Sequence, residues 1–346
     1  MRSYLVTGGA GFIGSNYVQR LLRRGDKVTV FDNLSRAGAR RNLEWLQGTF
    51  GREAFQVVVG DLRDAALITR SSEDADIIVH LAGQVAVTKS MADPREDFES
   101  NALGTFNVLE AAREARRNPI VLYASTNKVY GGMEDTPLVE EPTRWRYRDL
   151  IDGCSESQPL DFHSPYGCSK GTGDQYARDY ARIFGVRTVV FRQSCVYGPR
   201  QFGSDDQGWL SWMMLAALTG QPLTIYGDGK QVRDLLHVDD LLNAYDLAVE
   251  RIEVAAGRAY NIGGGHRNLL SIWAEFGPLL ERLSGRSITV ARGDWRAGDQ
   301  RVFHADISRA SAELGWAPRI DLEQGLTELF EWIAAHRHEF GVLTVA

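Results

Sequence analysis

Immediately after the apolar stretch Tyr4–Val6 and one threonine, the chain reads Gly8-Gly9-Ala10-Gly11-Phe12-Ile13-Gly14, a G-x-x-G-x-x-G run. Three glycines at this spacing constrain the fold strongly when they join a strand to a helix. Gly8 permits a tight turn, Gly11 lets backbone approach a pyrophosphate, and Gly14 lets the helix pack against its strand. The start of that helix then offers unpaired N–H groups to an anion. Glycines alone also serve ordinary turns, so the weight rests on their place at the first strand–helix junction.

The rest of the first half fits such a beginning. Tyr4–Val6, Lys27–Phe31, Phe55–Val59, Ile77–Leu81, Ile120–Tyr123 and Arg187–Phe191 read as strands, and Ile13–Arg24, Asp93–Arg116 and Tyr166–Phe184 as helices. Continuous apolar strands alternating with helices predict an α/β fold, a Rossmann-type doubly wound parallel sheet covered on both faces. After Tyr197 the pattern breaks into short helical stretches (Trp209–Leu218, Asp239–Glu250, Leu270–Leu283, Leu322–Ala335) between glycine-rich turns. This predicts a dinucleotide-binding domain over residues 1–190 and a smaller, interleaved substrate lobe over 191–346. Segments within about 230–262, such as Arg233–Leu236 and Tyr260–Ile262, are expected to return to the large sheet.

Composition narrows the function. The net charge of −6, from 39 basic and 45 acidic residues, gives no reason to expect a nucleic-acid or anionic-membrane partner. Cys154, Cys168 and Cys195 are odd in number and lack metal-ligand spacing, which points to a reducing compartment and no metal. Arg2 to Thr7 already reads as buried strand and no apolar run approaches a membrane span, so the protein is expected in the cytoplasm without a cleaved leader.

Asp32 ends the second strand, eighteen residues after Gly14. A carboxylate there accepts from the adenosine ribose hydroxyls and repels a 2′-phosphate, favouring NAD over NADP. Arg36, Arg40 and Arg41 follow, either as a solvated loop or as phosphate readers. Asp61-Leu62 is placed to meet the adenine, and Ala82-Gly83 lets backbone lie beside the cofactor. Tyr166 and Lys170 stand at i and i+4 on one helix face. An ammonium beside a phenol lowers its pKa, so the tyrosine can take a hydroxyl proton and return it. Ser125 and Thr126, after the fifth strand, are both candidates to orient the reacting oxygen.

The glycine run, that hydroxyl and the Tyr/Lys pair together resemble the extended short-chain dehydrogenase/reductases over nearly the whole chain. Matching Val129-Tyr130-Gly131 to the family's Val-Tyr-Gly puts the catalytic hydroxyl at Thr126. Several runs are similar to the CDP-paratose 2-epimerases, which make CDP-tyvelose: His80-Leu-Ala-Gly-Gln84, Asn101-Ala-Leu-Gly-Thr-Phe-Asn, Ser125-Thr-Asn-Lys-Val-Tyr-Gly, Asp161-Phe-His-Ser-Pro-Tyr and Gly198-Pro-Arg-Gln. The resemblance implies bound NAD and oxidation of C2 to a transient ketone. It also implies cofactor contacts from Phe12, Ile13, Asn33, Ser35, Arg36, Leu81, Asn101 and Gln193 besides those named. Arg233 and Arg296 would clamp the diphosphate of a CDP-linked sugar, and Gln84, Thr126, Asn127, Lys128, Gln193 and Gln207 would face the sugar. The family's 4,6-dehydratases carry Asp-Glu after the catalytic threonine, as acid and base for losing water; here Asn127 and Lys128 stand there.

Residues 131–163, with Arg144-Trp145-Arg146-Tyr147-Arg148, suit a lid over the sugar or base, or a surface excursion. Phe98, Ala102, Phe106 and Leu109, with Tyr176, Tyr180 and Phe184, form apolar stripes that could simply be core. The resemblance implies that these helices pair across a homodimer, which is expected. Rival readings are a 4-epimerase, a 4,6-dehydratase, and a non-catalytic NAD-binding module. Protein isolated from cells is expected to carry NAD; extraction and mass spectrometry finding mostly NADP would remove the role of Asp32.

Overall fold

The computed structural model describes residues 1–36, 38–205, 207–296 and 299–340. Its centre is a seven-stranded, all-parallel sheet: β1 (Ser3–Thr7), β2 (Lys27–Asp32), β3 (Gln56–Val59), β4 (Ile77–His80), β5 (Ile120–Thr126), and the strands Thr188–Gln193 and Arg258–Ile262. From one edge the order is Arg258–Ile262, Thr188–Gln193, β5, β4, β1, β2, β3. The chain winds outward in both directions from β1, so a crevice opens beyond its C-terminal end, where such sheets bind ligands.

Successive residues of each strand point to opposite faces, and the two cores divide accordingly. Tyr4, Val6, Val30, Val79 and Leu122 pack on helix α1 (Phe12–Arg24) and on the helix Val238–Glu250. Leu5, Phe31, Ile78, Val121 and Val190 pack on the helices Gly104–Glu114 and Ser164–Phe184. A third core, with Leu210, Met214, Leu280 and Leu329, holds together the helices Trp209–Thr219, Phe276–Ser284 and Leu322–His336 of the small lobe.

The structure alters several expectations. Arg258–Ile262 does join the large sheet beside Thr188–Gln193, but Arg233–Leu236 does not. It lies in Val232–His237, the middle of a small sheet with Cys195–Tyr197, Leu269–Ser271 and Val302–Phe303. Leu270–Leu283 is no single helix: Leu269–Ser271 is a strand and the helix is Phe276–Ser284, because Ser271 and Glu275 bond each other's backbone between them. The run from Pro94 to Glu114 is helical throughout but includes a π-helical turn, Glu99–Leu103. Such turns often mark functional sites.

Residues 131–163 carry a short hairpin that packs against the later part of the chain. The hairpin, Leu138–Glu140 with Trp145–Tyr147, is tied down by Arg144 to Glu275 (2.7 Å), Trp145 Nε1 to Asp228 (2.7 Å) and Tyr147 OH to the Val302 carbonyl (2.9 Å).

One buried ion pair fixes the Ser164–Phe184 helix to the sheet. Arg192 donates to both carboxylate oxygens of Asp174 at 2.9 Å, with side-chain exposures of 2% and 0%. Ser125 donates to the same carboxylate at 2.8 Å, and Arg192 reaches the Tyr130 hydroxyl at 3.0 Å. Asp174→Ala would strand a buried guanidinium and is expected to cost about 3–5 kcal/mol. Urea unfolding that shows a loss below about 1 kcal/mol would contradict this.

Candidate active site

The glycine loop follows directly from chain geometry. Gly8 has φ +69°, and a Cβ there would lie 2.7 Å from the Ala82 nitrogen; a Cβ on Gly14 would meet the Gly8 carbonyl at 2.1 Å. Neither position admits a side chain, and α1 begins at Phe12-Ile13 with no side-chain cap on its first turn. Asp32 is buried at the end of β2 and accepts from Ala10 N (3.0 Å) and Leu34 N (2.8 Å). Burial raises its pKa and those two bonds oppose the rise. Two bonds leave carboxylate lone pairs free for ribose hydroxyls.

Asn33 donates to Asp61, its Oδ1 accepts from Ser35 N, and the Arg63 guanidinium holds Asp61 well below the usual carboxylate range. Leu62 is buried, its carbonyl taking Asn107 (2.8 Å). Across the crevice, Leu81 N and Ala82 N bond Thr7, and a Cβ on Gly83 would meet Asn101 Oδ1 at 2.4 Å. That oxygen is buried without a partner. A cradle closed to side chains, a carboxylate at the end of β2 with lone pairs to spare and an open acceptor fit a dinucleotide.

Thr126 stands at the tip of β5, its hydroxyl accepting from Lys128 N (3.2 Å), donating to Asn127 Oδ1 (3.4 Å) and lying near enough to the Tyr166 phenol to lower its pKa. Ser125, the other candidate, donates to Asp174 at 2.8 Å. Burial pushes Tyr166 up to about 12; Thr126 and Arg36 pull it down. Lys170, expected to lower it, is not among the groups that do. Burial pulls that ammonium down to about 8 against the charges of Asp97 and Asp174, so it has lost its charge before the phenol titrates. Its Nζ lies over the Tyr123 ring, 4.5 Å from the centre. Lys170 also faces His80, which burial holds at about 3 and hence neutral, between Thr7 (2.8 Å) and Thr105 (3.0 Å).

The sugar-side candidates divide. Asn127 and Lys128 start a short helical turn beyond Thr126, and both approach Gln300. Arg233 is buried and paired with Asp299 at 2.6 Å. Arg296 instead lies over the Tyr226 ring (4.1 Å) and donates to the Asp205 carbonyl, so each arginine has its own protein partner. Gln84 is buried, and its amide donates to Asp97 (2.9 Å) and the Ala86 carbonyl (2.8 Å). Gln193 pairs in register with Thr126 but spends its amide on Tyr245. Gln207 accepts from Arg36, so a residue expected at the sugar and one expected at the cofactor bond each other.

Two groups went unseen in the sequence. Asp97 gathers Ser169 (2.6 Å), Gln84 and Asn101 (3.1 Å), bracing the Tyr166 helix against the π turn. Ser169, three residues after Tyr166, was the available signal. Gln300 follows Asp299 directly but carries no charge or motif to mark it.

A family model described as NAD dependent epimerase/dehydratase matches residues 4–263. The chain belongs to that family. It is 45% identical to the CDP-paratose 2-epimerase of Salmonella typhi over 96% of this chain and 99% of that protein. A dTDP-glucose 4,6-dehydratase from Streptomyces venezuelae, solved with NAD bound, superposes with TM-score 0.83 at 31% identity, covering 97% of this chain and 98% of that one. The UDP-glucuronic acid 4-epimerase from Bacillus cereus, solved with UDP-glucuronic acid and NAD, gives 0.81 at 30% identity, over 96% and 99%. Among the described residues no helix is long and apolar enough to cross a membrane.

Proposed function

We propose that this family member is an NAD-dependent nucleotide-sugar 2-epimerase of the CDP-paratose/CDP-tyvelose type, working through a transient 2-keto sugar. The observation that carries the reading is the Thr126-Asn127-Lys128 tip. Its hydroxyl lies near the Tyr166 phenol, yet an amide and an ammonium stand where the dehydratase pattern needs two carboxylates. Without that acid and base the site can oxidise and reduce a carbinol but is not equipped to expel water. The 45% identity to a CDP-paratose 2-epimerase supports the same choice.

NAD held by the glycine loop and Asp32 would supply the acceptor and donor of the carbon-bound hydrogen. The chain's own groups handle the proton. Thr126 orients the C2 hydroxyl, and Tyr166 takes its proton and later returns it. At about 12 the phenol is protonated at neutral pH; positive charge brought beside it lowers that value toward use as a base. Lys170, at about 8, is charged at neutral pH and able to donate to a ribose hydroxyl. Arg233, already buried and aimed by Asp299, is the candidate for the diphosphate. Arg296 is the second.

A homodimer in a cytoplasmic setting completes the reading. Phe98 (57% exposed), Phe106 (39%), Tyr176 (46%) and Phe184 (54%) project outward from the helical run 94–114 and the Ser164–Phe184 helix, with Phe106 edge-on to Tyr176. Their buried companions Ala102, Leu109 and Tyr180 belong to the core.

Incubated with CDP-paratose, the protein is expected to form CDP-tyvelose, with configuration at C2 read by NMR. Tyr166→Phe should keep the fold and its NAD but lose turnover by about two to four orders of magnitude. A 4-keto-6-deoxy or C4-inverted product, or near wild-type turnover in Tyr166→Phe, would overturn the assignment.

A further inference from the structure

Gln300 belongs to the small lobe, yet its side chain ends at the tip of β5. It is 1% exposed. Its Nε2 donates to the Gly131 carbonyl, which fixes the amide's orientation and presents Oε1 to two donors. Asn127 Nδ2 and Lys128 Nζ both approach that oxygen at 3.4 Å. An amide oxygen has two lone pairs, so one atom can serve both. The contacts are at the long end of hydrogen bonding, and catalytic contacts often tighten around a ligand.

Lys128 is where this arrangement has a consequence. Burial and the Arg233 charge pull its ammonium down to about 8, while Asp299 and the Cys195 thiol favour the charged form. Asp299 is committed to Arg233, and Cys195 takes a hydrogen bond from Trp209. Gln300 therefore gives Lys128 a neutral acceptor. It uses one of three ammonium donors and leaves two for the cleft beside Thr126. A carboxylate there would bind the ammonium as an ion pair and cancel its charge toward the substrate.

We propose that Gln300 is a positioning residue that aims the Lys128 ammonium, with the Asn127 amide, at the oxygens of the bound sugar. The site thus keeps a hydrogen-bond donor where an eliminating enzyme would keep a base. The identity of that sugar rests on the functional reading above; the coupling of Gln300 to Lys128 does not.

The test follows Lys128 directly, through the pH titration of its 13C-labelled Cε signal, assigned by the signal lost in Lys128→Met. Gln300→Glu, which preserves length, replaces a neutral acceptor by an anion and should move the titration to higher pH. Gln300→Met removes the acceptor and should move it to lower pH. In kcat/KM, Gln300→Met is expected to lose about ten- to a hundredfold, the scale of a misplaced contact. In the Lys128→Met background the same change should cost little more. Opposite pH shifts with non-additive losses support the proposal. An unmoved titration in both variants, or losses that multiply, overturns it. A wild-type protein inactive on every nucleotide sugar would instead defeat the functional reading, leaving the titration to decide Gln300.

Discussion

The active site depends on the ion pair of Asp174 with Arg192. Tyr166 and Lys170 lie on one helix and Thr126 on the tip of β5, and chemistry needs their relative placement held to a fraction of an ångström. Asp174 is eight residues along the helix from Tyr166, and its carboxylate binds the strand Thr188–Gln193 through Arg192 and β5 through Ser125. The guanidinium continues to Tyr130, whose hydroxyl donates to Asn261 at 2.7 Å, so the outermost strand is tied in as well. A buried pair of this kind is poor evidence for stability, since desolvation offsets the attraction. What it provides is registry between helix and sheet.

Burial sets the electrostatic character of the pocket around that frame. It raises the Tyr166 phenol to about 12 and lowers Lys170 and Lys128 to about 8. The two lysines have different surroundings, Lys170 facing the Tyr123 ring and Lys128 the Gln300 amide oxygen. For both, the folded value lies below the ordinary one. The cost of confining these charges therefore falls as pH rises through about 8 toward the ordinary lysine value, where the unfolded chain would lose its proton too. Under the proposed function, that cost keeps two cations available to an anionic, hydroxyl-rich ligand.

Much of this was legible in the sequence, for reasons tied to particular residues. The glycine run could have few other meanings at a first strand–helix junction, and continuous apolar strands announced a sheet buried on both faces. Tyr166 and Lys170 were visible because helical spacing is local. Failures came where tertiary partners decide the outcome. Arg233–Leu236 looked like any apolar strand, and nothing local told which sheet it would enter. Nor could any local pattern show that the Gln84 and Gln193 amides would meet Asp97 and Tyr245. Gln300 acts through contacts 169 to 173 residues away, beyond the reach of any spacing rule.

On the proposed route the hydrogen at C2 leaves and returns as hydride, while Thr126 and Tyr166 manage only the hydroxyl proton. C1 of a glycosyl phosphate is no free carbonyl, so the C2–H bond is not acidic and the phenol cannot remove that hydrogen as a proton. The decisive measurement is the fate of deuterium placed at C2 of the nucleotide sugar during turnover in ordinary water. Product inverted at C2 and still fully labelled is the result expected. Label washed out to solvent would contradict the account and require an acid–base route at carbon that these residues do not provide.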